Sequence, residues 1–166
     1  MRRLSRDGIG RFAAFAVVCI GLKAAFAALP DSVVMPLFCR VPAEIAAFYY
    51  GVPLDVATLS FTAKDVTLAV ARACAATDFF ALVASVMVLR SPWHILSAWA
   101  VTLAVNSLRV IALVPMEALF PRERLPVFHL MTGVAFFLPV FALIWYNFRP
   151  KSPFTKQKEE VAQHER

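Results

Sequence analysis

The chain of 166 residues is 60% hydrophobic and 17% charged, and its mean hydropathy is +0.69. This apolar share is well above that of an average soluble domain, so the composition excludes a soluble globular protein and indicates an integral membrane protein. The net charge of +6 does not indicate nucleic-acid binding, because no basic, aromatic-interleaved surface exists to hold a phosphate backbone. In a membrane protein, basic residues beside the spans set orientation instead.

The N-terminal part predicts a first transmembrane helix. Residues 1–11 form a basic N-terminal segment, and the apolar run of residues 12–29 follows it. A cleaved signal peptide is the alternative, but the run is long for one and contains Lys23. We therefore predict a span at residues 12–29.

Residues 30–64 are mixed in character and carry several prolines. Pro30, Pro36, Pro42 and Pro53 should interrupt any continuous helix, because proline lacks a backbone donor and clashes with the preceding turn. We predict an interfacial or re-entrant segment here. By its position alone, it is a candidate for a lid that faces the substrate.

Three further spans are predicted at residues 66–89, 95–116 and 127–148. Residues 149–166 form a charged tail, which we expect to be solvated. The predicted fold class is an all-α integral membrane protein with four transmembrane helices. Residues 12–148 form its single membrane-embedded domain.

The basic segments predict the orientation of these spans. Residues 1–11, 90–94 and 149–158 are rich in Lys and Arg and poor in acids. The positive-inside rule places all three on the cytoplasmic side. Four spans satisfy this rule, with both termini cytoplasmic, whereas a fifth span would put the basic segments on opposite sides.

The last three predicted spans carry side chains that a lipid-facing helix should exclude, namely Cys74, Asp78, Asn106, Arg109 and His129. Polar and ionisable groups at membrane depth are costly and usually mark a functional site. A rise of 1.5 Å per residue puts Cys74 about 22 Å, Arg109 about 21 Å and His129 about 27 Å above the cytoplasmic ends of their spans. We therefore expect these three residues to meet in the outer half of the bilayer.

Their chemistry is that of acyl transfer. A Cys74 thiolate would be the nucleophile, and His129 would act as general acid and base. Arg109 keeps its charge and would stabilise a developing oxyanion. Asp78 and Asn106, each one helical turn away from Cys74 or Arg109, would support these groups.

Two other interpretations stay open. In a non-catalytic membrane assembly or accessory subunit, the polar side chains would form a buried network and Cys74 would merely pack. A small transporter would need a polar path through both membrane halves. The three cysteines, Cys19, Cys39 and Cys74, are too few and scattered for a disulfide framework, although a Cys19–Cys39 bridge stays open. We expect no metal and no organic cofactor, since one Cys and one His are too few ligands for zinc.

Residues 72–133 resemble the exosortase/archaeosortase family. The resemblance rests on four ordered motifs: Ala73-Cys74-Ala75-Ala76, Arg90-Ser91-Pro92-Trp93, Asn-x-x-Arg-Val from Asn106 to Val110, and His-x-x-x-Gly from His129 to Gly133. The length is similar to that of the short members, such as the exosortase K-like group. One departure is that the family's common Cys-Ser-Gly is replaced by Cys74-Ala75-Ala76, which loses a hydroxyl and a flexible glycine.

The resemblance implies a membrane-embedded cysteine transpeptidase or protease. Its active-site Cys, Arg and His correspond to Cys74, Arg109 and His129. The implied substrate is a secreted, membrane-anchored protein with a C-terminal sorting signal. It would be cleaved through a thioester at the extracytoplasmic face of the cytoplasmic membrane.

Overall fold

A computed structural model describes residues 6–120 and 125–148, so the predicted tail at residues 149–166 and part of the N-terminal segment lie outside the described residues. The described part is mainly helical, as predicted. Its α-helices are α1 (Arg6–Ala28), α2 (Asp31–Met35), α3 (Val41–Tyr50), α4 (Thr77–Val88), α5 (His94–Leu119) and α6 (Leu125–Phe148).

Three helical segments in the described residues are long and apolar enough to cross a membrane. They cover Asp31–Tyr50, His94–Leu119 and Val127–Asn147, and a shorter apolar helix covers Phe12–Ala28. Helices of this length and composition are typical of a membrane protein. The segments at His94–Leu119 and Val127–Asn147 match two of the predicted spans closely.

The prolines do not interrupt Asp31–Tyr50, contrary to the sequence prediction. The helix continues from α2 through a π-helical turn, Pro36–Arg40, into α3. A π-helical turn changes which carbonyl each amide reaches, so the chain accommodates Pro36 without leaving the helix. Gly51 then ends α3 in the left-handed conformation, with φ of 66°, which a residue without Cβ adopts at little cost. The interfacial or re-entrant placement of this segment stays a prediction.

The predicted helical span at residues 66–89 is wrong in its first half. Residues Ser60–Ala63 and Val66–Ala69 form the antiparallel strands β1 and β2. Their two-residue turn, Lys64-Asp65, has positive φ at both positions, which suits the twist of a tight hairpin. Phe61 and Leu68 point inward from paired positions and are buried. Only α4, of 12 residues, remains helical in this stretch.

Helix α5 is the centre of the structure and packs against α3, α4 and α6. Its buried face carries four residues at helical spacing: Thr102, Asn106, Arg109 and Leu113. Beside it, the rings of Phe26, Phe38 and Phe80 meet edge to face and join α1, the π-helical turn and α4. Thr102, Asn106 and Arg109 therefore lie inside the helical packing rather than on its outer surface.

Candidate active site

Cys74 lies on irregular backbone between β2 and α4. It ends a short 3-10 helix, Arg72–Cys74, whose amide at Cys74 donates to the carbonyl of Ala71 over 2.8 Å. The side chain is buried, with 8% of the residue exposed. Two residues later Ala76 adopts the left-handed conformation, with φ of 52° and ψ of 26°, and α4 begins. We call residues 71–76 the Cys74 turn.

Asn106 fixes the Cys74 turn from α5. Its side-chain amide donates to the carbonyl of Cys74 over 2.7 Å, and the residue is completely buried. Its Oδ1 has no hydrogen-bond partner among the described residues. The sequence predicted Asn106 as a supporting residue, and the structure brings it into direct contact with the backbone of Cys74.

His129 approaches the same turn from α6. Its Nε2 lies 3.3 Å from the carbonyl of Ala73, the residue before Cys74. Because a carbonyl only accepts, this contact requires a proton on Nε2. The imidazole therefore contacts the backbone of the Cys74 turn, rather than the thiol, and in its neutral form it carries the free lone pair on Nδ1.

The side chain of Arg109 extends from α5 to α6. Its Nη2 donates to the carbonyl of His129 over 3.1 Å, and its guanidinium carbon lies 5.2 Å from the centre of the Phe137 ring. Phe137 in turn stacks on Phe79 of α4, with ring centres 4.4 Å apart. The guanidinium is thus held by a hydrogen bond and a cation–π contact. Its Nε has no hydrogen-bond partner among the described residues.

Gly133 of α6 faces this guanidinium. A methyl group at Gly133 would lie 3.9 Å from the Cζ, Nε and Nη2 atoms of Arg109. That distance is an ordinary van der Waals contact, so alanine fits, whereas a larger side chain would occupy the place of the guanidinium. Gly133 ends the His-x-x-x-Gly motif, and its role in supporting the site stays a prediction.

Asp78 does not join this cluster. Its carboxylate lies 3.2 Å from Lys23 Nζ, and both side chains are largely exposed. The sequence prediction placed Asp78 below Cys74 on one continuous helix, but the helix begins only at Thr77. Asp78 is consequently in the first turn of α4 and pairs with α1. The structure therefore does not bring Asp78 to the cluster that it was predicted to support.

Arg72 is a residue of the site that sequence analysis missed. Its guanidinium donates to the carbonyls of Phe26 and Leu29, over 2.8 and 2.9 Å, and pairs with the carboxylate of Asp31. Arg72 lies two residues before Cys74 in the chain. It thus binds the C-terminal end of α1 and the first turn of α2. The sequence carries no signal for these contacts, because the partners of Arg72 lie more than 40 positions away along the chain.

The Cys74 thiol is not preformed as a thiolate. Burial raises the pKa of Cys74, while the nearby backbone of Ala71 and the positive charge of Arg109 act in the opposite direction. Since the effect of burial is the largest, the pKa remains above its ordinary value.

Cys74, Arg109 and His129 thus belong to one cluster, connected through the backbone carbonyls of Ala73 and His129. Comparison with known proteins finds no matching family model, no matching curated protein and no matching solved structure. The resemblance to the exosortase/archaeosortase family therefore stays a prediction from the motifs.

Proposed function

We propose that the protein is a membrane-embedded cysteine peptidase or transpeptidase. It would cleave a C-terminal sorting signal of a secreted, membrane-anchored protein at the extracytoplasmic face of the cytoplasmic membrane. The observation that carries this proposal is the approach of α5 and α6 to the Cys74 turn. Asn106 binds the carbonyl of Cys74, His129 binds the carbonyl of Ala73, and Arg109 binds the carbonyl of His129.

The reaction would begin with a neutral thiol. Because burial raises the pKa of Cys74, the thiol must lose its proton as it attacks, and a nearby base is required. His129 supplies that base at Nδ1, since Nε2 already donates to Ala73. Cys74 Sγ then attacks the substrate carbonyl carbon, and the developing oxyanion lies beside Arg109.

Collapse of this intermediate breaks the peptide bond. The protonated His129 gives its proton to the leaving amine, and the acyl group stays on Cys74 as a thioester. Water or an acceptor amine then attacks the thioester and releases the product. The left-handed backbone at Ala76 also supports the resemblance, because the glycine of the family's Cys-Ser-Gly motif would adopt this conformation at no steric cost.

The proposal is tested by comparing the C-termini of surface proteins in cells that carry the wild type, Cys74→Ala or Cys19→Ala. Cys19 lies on α1 and is half-buried, so Cys19→Ala controls for the loss of a thiol. We expect uncut anchored precursors to accumulate only with Cys74→Ala, at equal amounts of folded protein. Identical C-termini in all three strains would overturn the proposal.

The second candidate is a non-catalytic assembly or accessory subunit. It is favoured by the fact that Asn106, His129 and Arg109 contact backbone carbonyls, as structural polar groups in helix packing do. The rate of labelling by a small thiol-reactive probe near neutral pH separates the two candidates. Labelling of Cys74 faster than that of Cys39, which is also buried, favours the enzyme, and equally slow labelling of both favours the subunit.

A further inference from the structure

Cys39 is a buried thiol with no part in the proposed reaction, yet it lies beside the Cys74 turn. It is on the π-helical turn Pro36–Arg40 and is fully buried. Its sulphur lies 3.6 Å from the carbonyl oxygen of Ala71. The sequence, in which Cys39 and Cys74 are 35 positions apart, gave no indication of this contact.

Cys39 and Cys74 share that carbonyl. The amide nitrogen of Cys74 lies 2.8 Å from the same oxygen, so the Cys39 sulphur and the Cys74 backbone are separated by no more than these two distances combined. Disulfides join residues whose Cα atoms are about 4.4–6.8 Å apart, so the disulfide requires the irregular Cys74 turn to bring the two residues within that range.

We propose that Cys39 and Cys74 form a redox-active dithiol, in which a small-molecule disulfide oxidant converts the two thiols into an intramolecular disulfide. The bond itself does not depend on the proposed function. Its consequence does: while the disulfide persists, Cys74 cannot attack a substrate carbonyl, and reduction restores it.

The chemistry is ordinary thiol–disulfide exchange. Cys74 loses its proton and attacks one sulphur of the oxidant, whose other sulphur leaves as a thiolate. The Cys39 thiol then loses its proton to the thiolate already released and attacks the Cys74 sulphur of this mixed disulfide. The second sulphur of the oxidant leaves as a thiolate and takes up the proton that Cys74 lost. Two S–H bonds are broken and one S–S bond forms in the protein, and the S–S bond of the oxidant is reduced to two thiols.

The experiment uses the full-length protein in detergent micelles. It is incubated with oxidised glutathione, the remaining thiols are alkylated, and unreduced peptides are identified by mass spectrometry. Wild type and Cys19→Ala should both give a Cys39–Cys74 cross-linked peptide and lose alkylation at Cys74. Cys39→Ala should give no such peptide and keep Cys74 alkylatable, and dithiothreitol should restore alkylation in the first two proteins.

Other products would overturn the dithiol. These are links to Cys19, glutathione adducts that never exchange, or unchanged alkylation of both thiols in a wild type whose thermal unfolding is normal. Cys39→Ser provides a second variant if Cys39→Ala does not fold. The outcome is separable from the proposed function. A cross-link in a protein whose Cys74 is not needed for C-terminal trimming would leave the dithiol standing and remove the peptidase.

Discussion

The α5–α6 pair and the Cys74 turn differ in how their shape is determined. The two helices follow from long apolar sequences whose backbone groups are satisfied within each helix. The Cys74 turn contains a 3-10 helix and a left-handed alanine, and side chains from other elements hold it in place. The polar side chains of the cluster are thus divided between a helix pair that carries Arg109 and His129 and an irregular segment that carries Cys74. If this division is real, the turn should depend on the helices more than the helices depend on the turn.

The largest expected effect is that of Arg109→Gln. Loss of an oxyanion donor costs about 10²–10³ in rate in enzymes, so precursor processing should fall by that order. Arg109 also lowers the pKa of Cys74 against the larger effect of burial. Without it the pKa rises further, and alkylation of Cys74 should need a higher pH than in the wild type.

The measurements are the amount of uncut precursor and the pH profile of Cys74 alkylation, and Arg40→Gln is the matched control. Arg40 pairs with Glu44 at the exposed edge of α3. An unchanged alkylation profile in Arg109→Gln would show that the guanidinium does not act on the thiol.

The thiol also links stability to pH. Its pKa is raised in the folded protein, so the neutral thiol is favoured by folding. The stabilisation of the folded protein by this neutral thiol is fully present below the ordinary pKa of a cysteine. It is lost as the pH rises through the higher pKa of Cys74 in the folded protein.

Asn106→Leu should have the next largest effect. It removes the hydrogen bond to the carbonyl of Cys74 and leaves that buried carbonyl without a donor, at a cost of about 1–3 kcal/mol in the free energy of unfolding. Asn147→Leu is the control, because Asn147 makes a similar bond to Leu143 on an exposed part of α6, and such changes cost less than about 0.5 kcal/mol. Equal destabilisation by both substitutions, measured by denaturant unfolding in micelles, would contradict a special role for Asn106.

The difference between the two helices and the Cys74 turn also explains what the sequence could predict. Apolar length located the helices that contain Arg109 and His129, and polar residues inside those helices indicated the site. The sequence did not predict the hairpin, because each of its strands has only four residues. The second strand, Val66–Ala69, is also continuous with the apolar residues that follow it. The prediction therefore began this helix at residue 66 instead of Thr77, and this is why it placed Asp78 on the same helix as Cys74.

The contacts of Arg72 were beyond such reasoning for a different reason. Its partners lie between Phe26 and Asp31, more than 40 positions away, and no local periodicity reports such a contact. The contact between Cys39 and Ala71 is likewise a long-range contact, because it depends on how the π-helical turn packs against the Cys74 turn. Sequence patterns therefore indicated the helices and the chemical groups, and tertiary contacts decided their neighbours.

Arg72→Gln tests one of those tertiary contacts. It removes charge-assisted hydrogen bonds to α1 and to Asp31, and because the side chain is partly exposed we expect a loss of about 1–2 kcal/mol. Alkylation of Cys74 should become faster, since the turn is less firmly held. Lys23→Gln removes the exposed pair between Lys23 and Asp78 and should cost under about 1 kcal/mol, with no change at Cys74. Faster alkylation in both variants would mean that α1 as a whole, and not Arg72, restrains the turn.

The smallest effect concerns two adjacent alanines and should differ in sign between them. Ala76 has φ of 52°, a conformation in which Cβ lies too close to the following carbonyl, so Ala76→Gly relieves that contact and should stabilise the fold by about 0.5–1 kcal/mol. Ala75 has φ of −68°, which suits alanine, so Ala75→Gly should destabilise the fold by about 0.5–1 kcal/mol through the greater freedom of the unfolded chain. Both values come from denaturant unfolding under the same conditions. Ala75 is also more deeply buried than Ala76, so the sign at Ala76 is the one that reports backbone conformation. Destabilisation by Ala76→Gly would mean that the turn beside Cys74 does not hold the left-handed residue on which its geometry depends.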